Sequence, residues 1–321
     1  MKKSFLIILL FGLLVSCKEN FEPFGDLKDK YVLNCVIKGD TTFQIASITR
    51  TYANDNYNPY SNTTDHNVGG ALIRIWNGDS VVVLRDSILD KPANSKYQNP
   101  YHLYYTNKFK LVSSTIQIEA ILPNGVRLTG EATVPNEVKF NYTDKVYPPV
   151  SKSFVEFIWN PGVLDNAYLT QVSIYYYKAD DPKKTVQIAY VPASYINQGG
   201  VDFPIAPKPN NANKLVIDVA TINKTMELIS AGDPNKANYV ILGPFLEVVS
   251  FGKSLSTYFN SITRTNDAYT VNLSEIDYSN ISNGLGVFGV YLKNYQPFTF
   301  THAFIKSFGY TPGLADAQAY L

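Results

Sequence analysis

Histidine and cysteine are scarce in this chain of 321 residues, with three of the first and two of the second. His66, His102 and His302 stand far apart, none with a second histidine or a glutamate at the spacing a zinc site needs, so no metal or other cofactor is expected. Cys17 closes an N-terminal leader and Cys35 lies in the apolar run Tyr31 to Ile37. With Cys17 committed to the leader an internal disulfide is excluded, and Cys35 reads as a small buried hydrophobe rather than a reactive thiol. The chain has no G-x-S-x-G, no nucleophilic cysteine near a histidine and no calcium loop of the EF-hand type, so the usual hydrolase and calcium templates fail. Paired carboxylates drawn from distant strands stay open as a glycosidase arrangement, with no pair marked out. Charge of one sign is also missing: the formal net charge is +1, and removing Lys2 and Lys3 takes it to −1. No electrostatic field recruits nucleic acid or anionic lipid. No apolar run approaches the roughly 20 residues that span a bilayer core.

What is present begins with a short leader. Lys2 and Lys3 precede Phe5 to Val15, eleven apolar or glycine residues, which fits the apolar region of a secretory signal peptide. Leu14-Val15-Ser16-Cys17 then resembles the lipobox of bacterial lipoproteins, in which the cysteine receives a diacylglyceryl group and becomes the mature N-terminus. The resemblance implies a signal peptide over residues 1–16 and lipid attachment at Cys17; an ordinary signal peptide with an incidental cysteine near the cut is the alternative. Two or more acyl chains anchor stably without a transmembrane helix. Lipoproteins of the Bacteroidota carry acidic residues after the cysteine when they are sent to the outer face of the outer membrane, and Lys18-Glu19-Asn20 supplies one acid here. Display at the cell surface is favoured, with the periplasmic face left open. Residues 17–30, with Pro23, Gly25 and no period, read as a lipidated tether.

The remaining chain reads as all-β. It carries 24 Tyr and 18 Phe and is rich in Val and Ile, residues that suit pleated, half-buried surfaces. Tyr31 to Ile37 and Phe43 to Arg50 form a hairpin; Ala71, Ile73 and Ile75 alternate with Leu72, Arg74 and Trp76 before an Asn77-Gly78 turn into Ser80 to Arg85. A further hairpin turns at Pro123-Asn124-Gly125, with Ile116, Ile118 and Ala120 on one face and Gln117 and Glu119 on the other. Residues 31–135 are therefore expected as an immunoglobulin-like β-sandwich. Residues 136–150, ending near Pro148-Pro149, are expected as a linker. Residues 151–321 are expected as a second β-sandwich: Trp159, Pro161-Gly162 and Ser173-Ile174-Tyr175-Tyr176-Tyr177 resemble a fibronectin type III pattern of core tryptophan, turn and Tyr-rich strand. Further strands are expected at Thr185 to Val191, Lys214 to Val219, Tyr239 to Ser250, Tyr269 to Leu273, Val287 to Tyr295 and Phe298 to Ile305. Leu255, Tyr258, Phe259 and Ile262 at helical spacing place a short helical insertion near 254–263, and Ile222 to Ser230 is a second short helix. Fold class is thus two tandem immunoglobulin or fibronectin-III-like sandwiches, the second with a helical insertion.

Two stretches bear on function. Tyr52 to Asn67 is a long loop of Asn, Asp, Tyr, Pro, Ser and Thr, in which Tyr52, Tyr57 and Tyr60 could stack on a sugar ring or press into a partner; the alternative is a surface loop whose tyrosines pack back on the sandwich. Gly284, Gly286 and Gly289 spell G-x-G-x-x-G, but a loop precedes them, a strand-like run follows, and Gly309 stands where the acid would be needed. They read as glycines for a bulge or close strand packing.

Tyr31-Val32-Leu33-Asn34-Cys35-Val36-Ile37, Val68-Gly69-Gly70-Ala71-Leu72-Ile73-Arg74-Ile75, Ile121-Leu122-Pro123-Asn124-Gly125, Thr133-Val134-Pro135 and the ending Asn280 to Gly289 together with the lipobox resemble an uncharacterised Bacteroidota outer-membrane lipoprotein family, classed as a domain of unknown function. Tyr190 to Asn213, rich in Pro and Asn, departs from its pattern and reads as a lineage-specific loop. Members are often encoded beside TonB-dependent receptors. The resemblance implies a non-catalytic, lipid-anchored accessory to such a receptor in nutrient capture or uptake, with a glycan or peptide ligand and no nucleic acid. A structural or adhesive surface lipoprotein without a transport partner is the alternative, and a glycan-active enzyme a third reading.

Overall fold

The structure, a computed structural model, describes residues 30–52, 62–90, 93–97, 101–161, 167–264 and 278–313. The leader, Cys17, the tether up to residue 29, Tyr57, Tyr60 and the strand expected at Tyr269 to Leu273 lie outside the described residues.

Strands dominate the chain. The first half runs β1 (Tyr31–Lys38), β2 (Gln44–Arg50), β3 (Leu72–Asn77), β4 (Ser80–Leu89), β5 (Tyr101–Thr106), β6 (Thr115–Ile121) and β7 (Arg127–Thr133). The second half runs β8 (Phe140–Thr143), β9 (Val146–Tyr147), β10 (Phe154–Trp159), β11 (Tyr168–Lys178), β12 (Gln187–Val191), β13 (Ser194–Gln198), β14 (Val201–Ile205) and β15 (Lys214–Asp218). It continues with helix α1 (Val219–Ile229), β16 (Tyr239–Phe251), α2 (Lys253–Arg264), β17 (Ile281–Ser282), β18 (Phe288–Pro297), β19 (Thr299–Phe300), α3 (His302–Ser307) and β20 (Thr311–Pro312).

Alternation sets the faces. Leu33, Cys35 and Ile37 of β1 are buried between exposed Asn34, Val36 and Lys38, and Ile73 and Ile75 of β3 are buried between Leu72, Arg74 and Trp76. Each large apolar side chain removed from water contributes about 1.5–3 kcal/mol. Burial pushes the Cys35 thiol up to about 12, so it stays protonated and packs as a hydrophobe. The turn expected at Asn77-Gly78 rests on the glycine alone. Asn77 pairs with Ser80, leaving Gly78 and Asp79 as the turn residues, and only Gly78 takes a positive φ, +62°, as a type II′ hairpin requires. Asn77 instead ends β3 with its side chain buried, where its amide donates to the Lys110 carbonyl at 2.5 Å and accepts from the Val112 and Ser113 N–H groups at 3.1 and 3.0 Å. Asn77→Ala strands these backbone groups and is expected to cost about 1–3 kcal/mol. The urea midpoint checks it, with exposed Asp79→Ala as a control expected within about 0.5 kcal/mol of wild type.

One sheet crosses both halves in the order β12-β11-β16-β18-β1-β2-β5-β4-β3-β6-β7-β17, with β20 added beside β16. The join is β18. Its first residues run parallel to β1, from Cys35↔Phe288 to Lys38↔Tyr291, and its remainder runs antiparallel to β16, from Phe251↔Tyr291 to Phe245↔Pro297. The first core accordingly contains Leu33, Ile48, Ile75 and Tyr104 together with Ile281, Phe288 and Val290 from the far end of the chain. The second core is closed by the three-stranded sheet β15-β10-β8 and by α1 and α3. Val155, Phe157 and Trp159, all fully buried, face Val172 and Ile174 across it, and Trp159 meets Tyr168 edge-on at 5.4 Å.

Three expectations are corrected. Residues 136–150 do not form a plain linker: β8 and β9 lie there, and Tyr147 is fully buried, its hydroxyl donating to the Val219 carbonyl at 3.0 Å and to Asn223 Oδ1 at 2.8 Å. The Pro pair ends a strand that this aromatic ring pins to the core. Tyr190 to Asn213 is not a loop throughout, because β13 and β14 pair across Gly199-Gly200, whose φ values of +62° and +84° suit a tight hairpin. Phe298 to Ile305 is not one strand. Thr301 accepts the Phe304 N–H at 3.2 Å as a helix cap, and the apolar spacing passes from two to three and four residues at α3.

Candidate functional site

The tyrosine loop supplies one described aromatic. Tyr52 stacks on His66 with ring centroids 4.1 Å apart and planes 12° apart, at the rim of a cleft of about 370 Å³ next to Tyr31 and Asn124. Asn124 Nδ2 donates to the Tyr31 hydroxyl at 2.8 Å, fixing the opposite wall. One face of Tyr52 is thus taken by the histidine; Tyr57 and Tyr60 lie outside the described residues.

A larger cleft of about 860 Å³ opens between the β8–β9 corner, Pro148-Pro149 and α3. Asp144, Lys145 and Lys152 are its charged lining, and Asp144 accepts from the Tyr142 hydroxyl at 2.7 Å, the Glu156 N–H at 2.8 Å and Lys152 Nζ at 3.2 Å. Burial works against the carboxylate, but these three donors outweigh it and hold Asp144 below the ordinary carboxylate range. Lys152 is raised in turn, first by the Tyr142 hydroxyl and then by Asp144. Tyr142, Asp144 and Lys152 are engaged with one another, and what they do is lock the corner to β10.

The outer face of the second-half sheet is different in kind. Side chains of β11, β12, β16 and β18 that point away from the core meet there according to the strand registers: Tyr175 lies opposite Ile188, Ser173 opposite both Tyr190 and Phe245, and Glu247 opposite Tyr295. Tyr175 and Phe245 pack edge to face with centroids 5.4 Å apart. Tyr190 is 64% exposed and Tyr295 55%, and Ile188 and Phe245 on the same face are exposed as well. The Lys293–Glu247 ion pair, 3.0 Å, borders this area. Burial lowers the Lys293 ammonium, the hydrogen bond and charge of Glu247 more than offset it, and burial together with Glu247 pushes the Tyr295 phenol up. At neutral pH the patch therefore carries a balanced charge pair beside an uncharged aromatic surface. Sequence reading passed over these residues because alternation separates the two faces of a strand without saying which one another layer covers.

The histidines are dispersed: His66 is stacked under Tyr52, His102 Nδ1 lies 2.9 Å from Asp86 Oδ1, and His302 opens α3. Among the described residues no group of three His, Cys, Asp or Glu is placed to hold a metal ion, and no helix is long and apolar enough to cross a membrane. No family model matches this chain, and neither does any curated protein.

Proposed function

We propose that this chain is a non-catalytic lipoprotein, anchored by lipid at Cys17 to the outer membrane with its body at the cell surface, and accessory to a TonB-dependent receptor in nutrient capture or uptake. The leader Met1 to Cys17 and the family resemblance support the location and the class of partner. The observation that carries the docking role is the exposed aromatic face of β11, β12, β16 and β18, because rings clustered on an uncovered sheet favour burial against another protein. In the same reading the first core is an immunoglobulin-like module and the second a fibronectin-like one, fused through β18.

The experiment is recovery of the tagged, lipidated protein from gently solubilised outer membrane, with mass spectrometry of what accompanies it. A TonB-dependent receptor in stoichiometric amount is expected; recovery of the lipoprotein alone sinks the accessory role and puts the adhesive or structural reading first. The double substitution Tyr190→Ser and Tyr295→Ser is expected to cut co-recovery at least about tenfold, since exposed aromatic anchors often contribute about 2 kcal/mol or more each. Its melting temperature is expected to stay close to wild type, because both rings are more than half exposed.

A further inference from the structure

The solvent face of the first-half sheet carries a polar grid. Trp76 lies opposite Gln117 and Gln117 opposite Glu131; one step along, Arg74 lies opposite Glu119 and Glu119 opposite Thr129, which faces Ser282 of β17. Heads within a row are one strand spacing apart, roughly 4.8 Å, and the two rows are two residues apart along the strands, roughly 6.8 Å. Trp76, Gln117, Glu119, Thr129, Glu131 and Ser282 line a groove of about 510 Å³, a volume within the ordinary range for a small-molecule site, and Arg74 reaches Glu119 from outside that lining.

Glu119 is the centre of this groove and its side chain is only 3% exposed. Arg127 Nε contacts one carboxylate oxygen, and the Arg74 guanidinium approaches the other at 2.6 Å. Glu119 Oε2 is thus held by the ion pair alone, and neither it nor Arg74 Nε, both buried, has a directed hydrogen bond. Buried polar atoms in this condition are costly, and a ligand hydroxyl that donates to the Glu119 carboxylate from the groove offsets that cost. Around this centre Gln117 Nε2 is held on Glu131 Oε2 at 2.9 Å, and Trp76 closes one end with the Arg74 guanidinium 5.4 Å from its ring centroid.

The charges decide the ligand class. Among the described residues Arg127 is the one cation lining the groove, against Glu119 and Glu131, and Arg74, ion-paired to Glu119 from outside the lining, brings the set only to neutrality, so no net positive field draws a phosphate or a uronate. It offers interleaved donors and acceptors on a flat floor, with an indole at the edge against which an apolar C–H face can lie. A peptide bound by strand addition would need an open strand edge rather than a face of side-chain heads.

We propose that the solvent face of β3, β6, β7 and β17 is a binding site for a neutral saccharide, with Trp76 against the sugar's C–H face and Glu119, between Arg74 and Arg127, bonding its hydroxyls. The site goes beyond the accessory role and does not depend on it, since binding is measured on the purified protein with no receptor present.

The test uses full-length protein in a detergent without a sugar headgroup, titrated calorimetrically with cellohexaose, xylohexaose, mannohexaose and maltohexaose, with oligogalacturonate and inorganic phosphate as anionic probes. At least one neutral hexasaccharide is expected to bind with a dissociation constant below about 1 mM, and to shift the emission of Trp76, the half-buried tryptophan of the two. Trp76→Ala and Gln117→Ala are each expected to weaken binding at least tenfold while circular dichroism and melting stay as in wild type. Glu119→Gln is expected to abolish binding; should that variant not fold, the other two substitutions carry the test. The proposal is overturned if none of the four neutral sugars binds at 1 mM, if binding survives both surface substitutions, or if the anionic probes bind more tightly than the neutral ones. Loss of receptor recovery with sugar binding intact would overturn only the accessory role.

Discussion

A fragment of residues 30–135 is expected to stay unfolded, although it contains every strand that the sequence assigns to the first sandwich. Without the far end of the chain, β1 loses its parallel partner and the core loses Ile281, Phe288 and Val290, each no more than 6% exposed. Burial of three such side chains contributes together about 5–9 kcal/mol. That is comparable with the whole stability of an ordinary domain, about 5–15 kcal/mol. Dispersed amide resonances and a cooperative melt from this fragment would refute the expectation. In the intact chain Phe288→Ala leaves a cavity in the core that also holds Leu33 and Ile75 and is expected to lower stability by about 3–5 kcal/mol, read from denaturant unfolding.

Gly286→Ala is expected to be as damaging for a different reason. Gly286 has φ +114°, and an added Cβ would lie 2.1 Å from the Leu33 carbonyl oxygen and 2.7 Å from its carbon. The atoms in the way are backbone of β1, which cannot move without breaking the bonds from Leu33 N–H to Leu285 O and from Cys35 N–H to Val287 O, 2.8 and 2.9 Å. Overpacking and a disallowed dihedral each cost about 1–3 kcal/mol, which puts the substitution at roughly 3–5 kcal/mol. Gly125→Ala separates the two effects: φ is +85° but nothing lies within 4 Å of the added atom, so only the dihedral cost of about 1–2 kcal/mol is expected. Thermal unfolding of the two variants side by side checks the difference.

The G-x-G-x-x-G reading shows how far sequence goes. That Gly284, Gly286 and Gly289 serve close packing rather than a nucleotide followed from the strand-like run after them, and an added Cβ at Gly289 would indeed meet the Leu255 side chain at 2.4 Å. What they pack against did not follow. Parallel pairing between β1 and β18 joins positions some 250 residues apart, as in the Val287 N–H to Asn34 Oδ1 bond across |i−j| = 253, and no local pattern encodes it. The inward faces of β3 and β6 were legible because a period of two is a property of the strand itself. Tyr147 in the expected linker was not, since one buried ring between Val146 and a pair of prolines makes no period. The same limit applies to the sites. Arg74, Trp76, Gln117 and Glu119 were legible as the polar face of their strands, but a grid is a statement about registers between strands. Tyr190 and Tyr295 lie more than 100 residues apart and meet on one face only through β11 and β16.

The parallel direction of β1 and the segment ending in β18 also decides how the molecule bears force. Tension entering at Tyr31 and leaving through the C-terminal end of β18 drags the two strands past each other along their length. The bonds Leu33 N–H to Leu285 O, Cys35 N–H to Val287 O and Gly39 N–H to Tyr291 O are then loaded together, in shear, instead of opening in turn like a zipper. A body pulled from its N-terminus while gripped on the face that carries Tyr295 would hold until these strands slide as a unit, and its lifetime under load would be set by that unfolding rate rather than by its equilibrium stability.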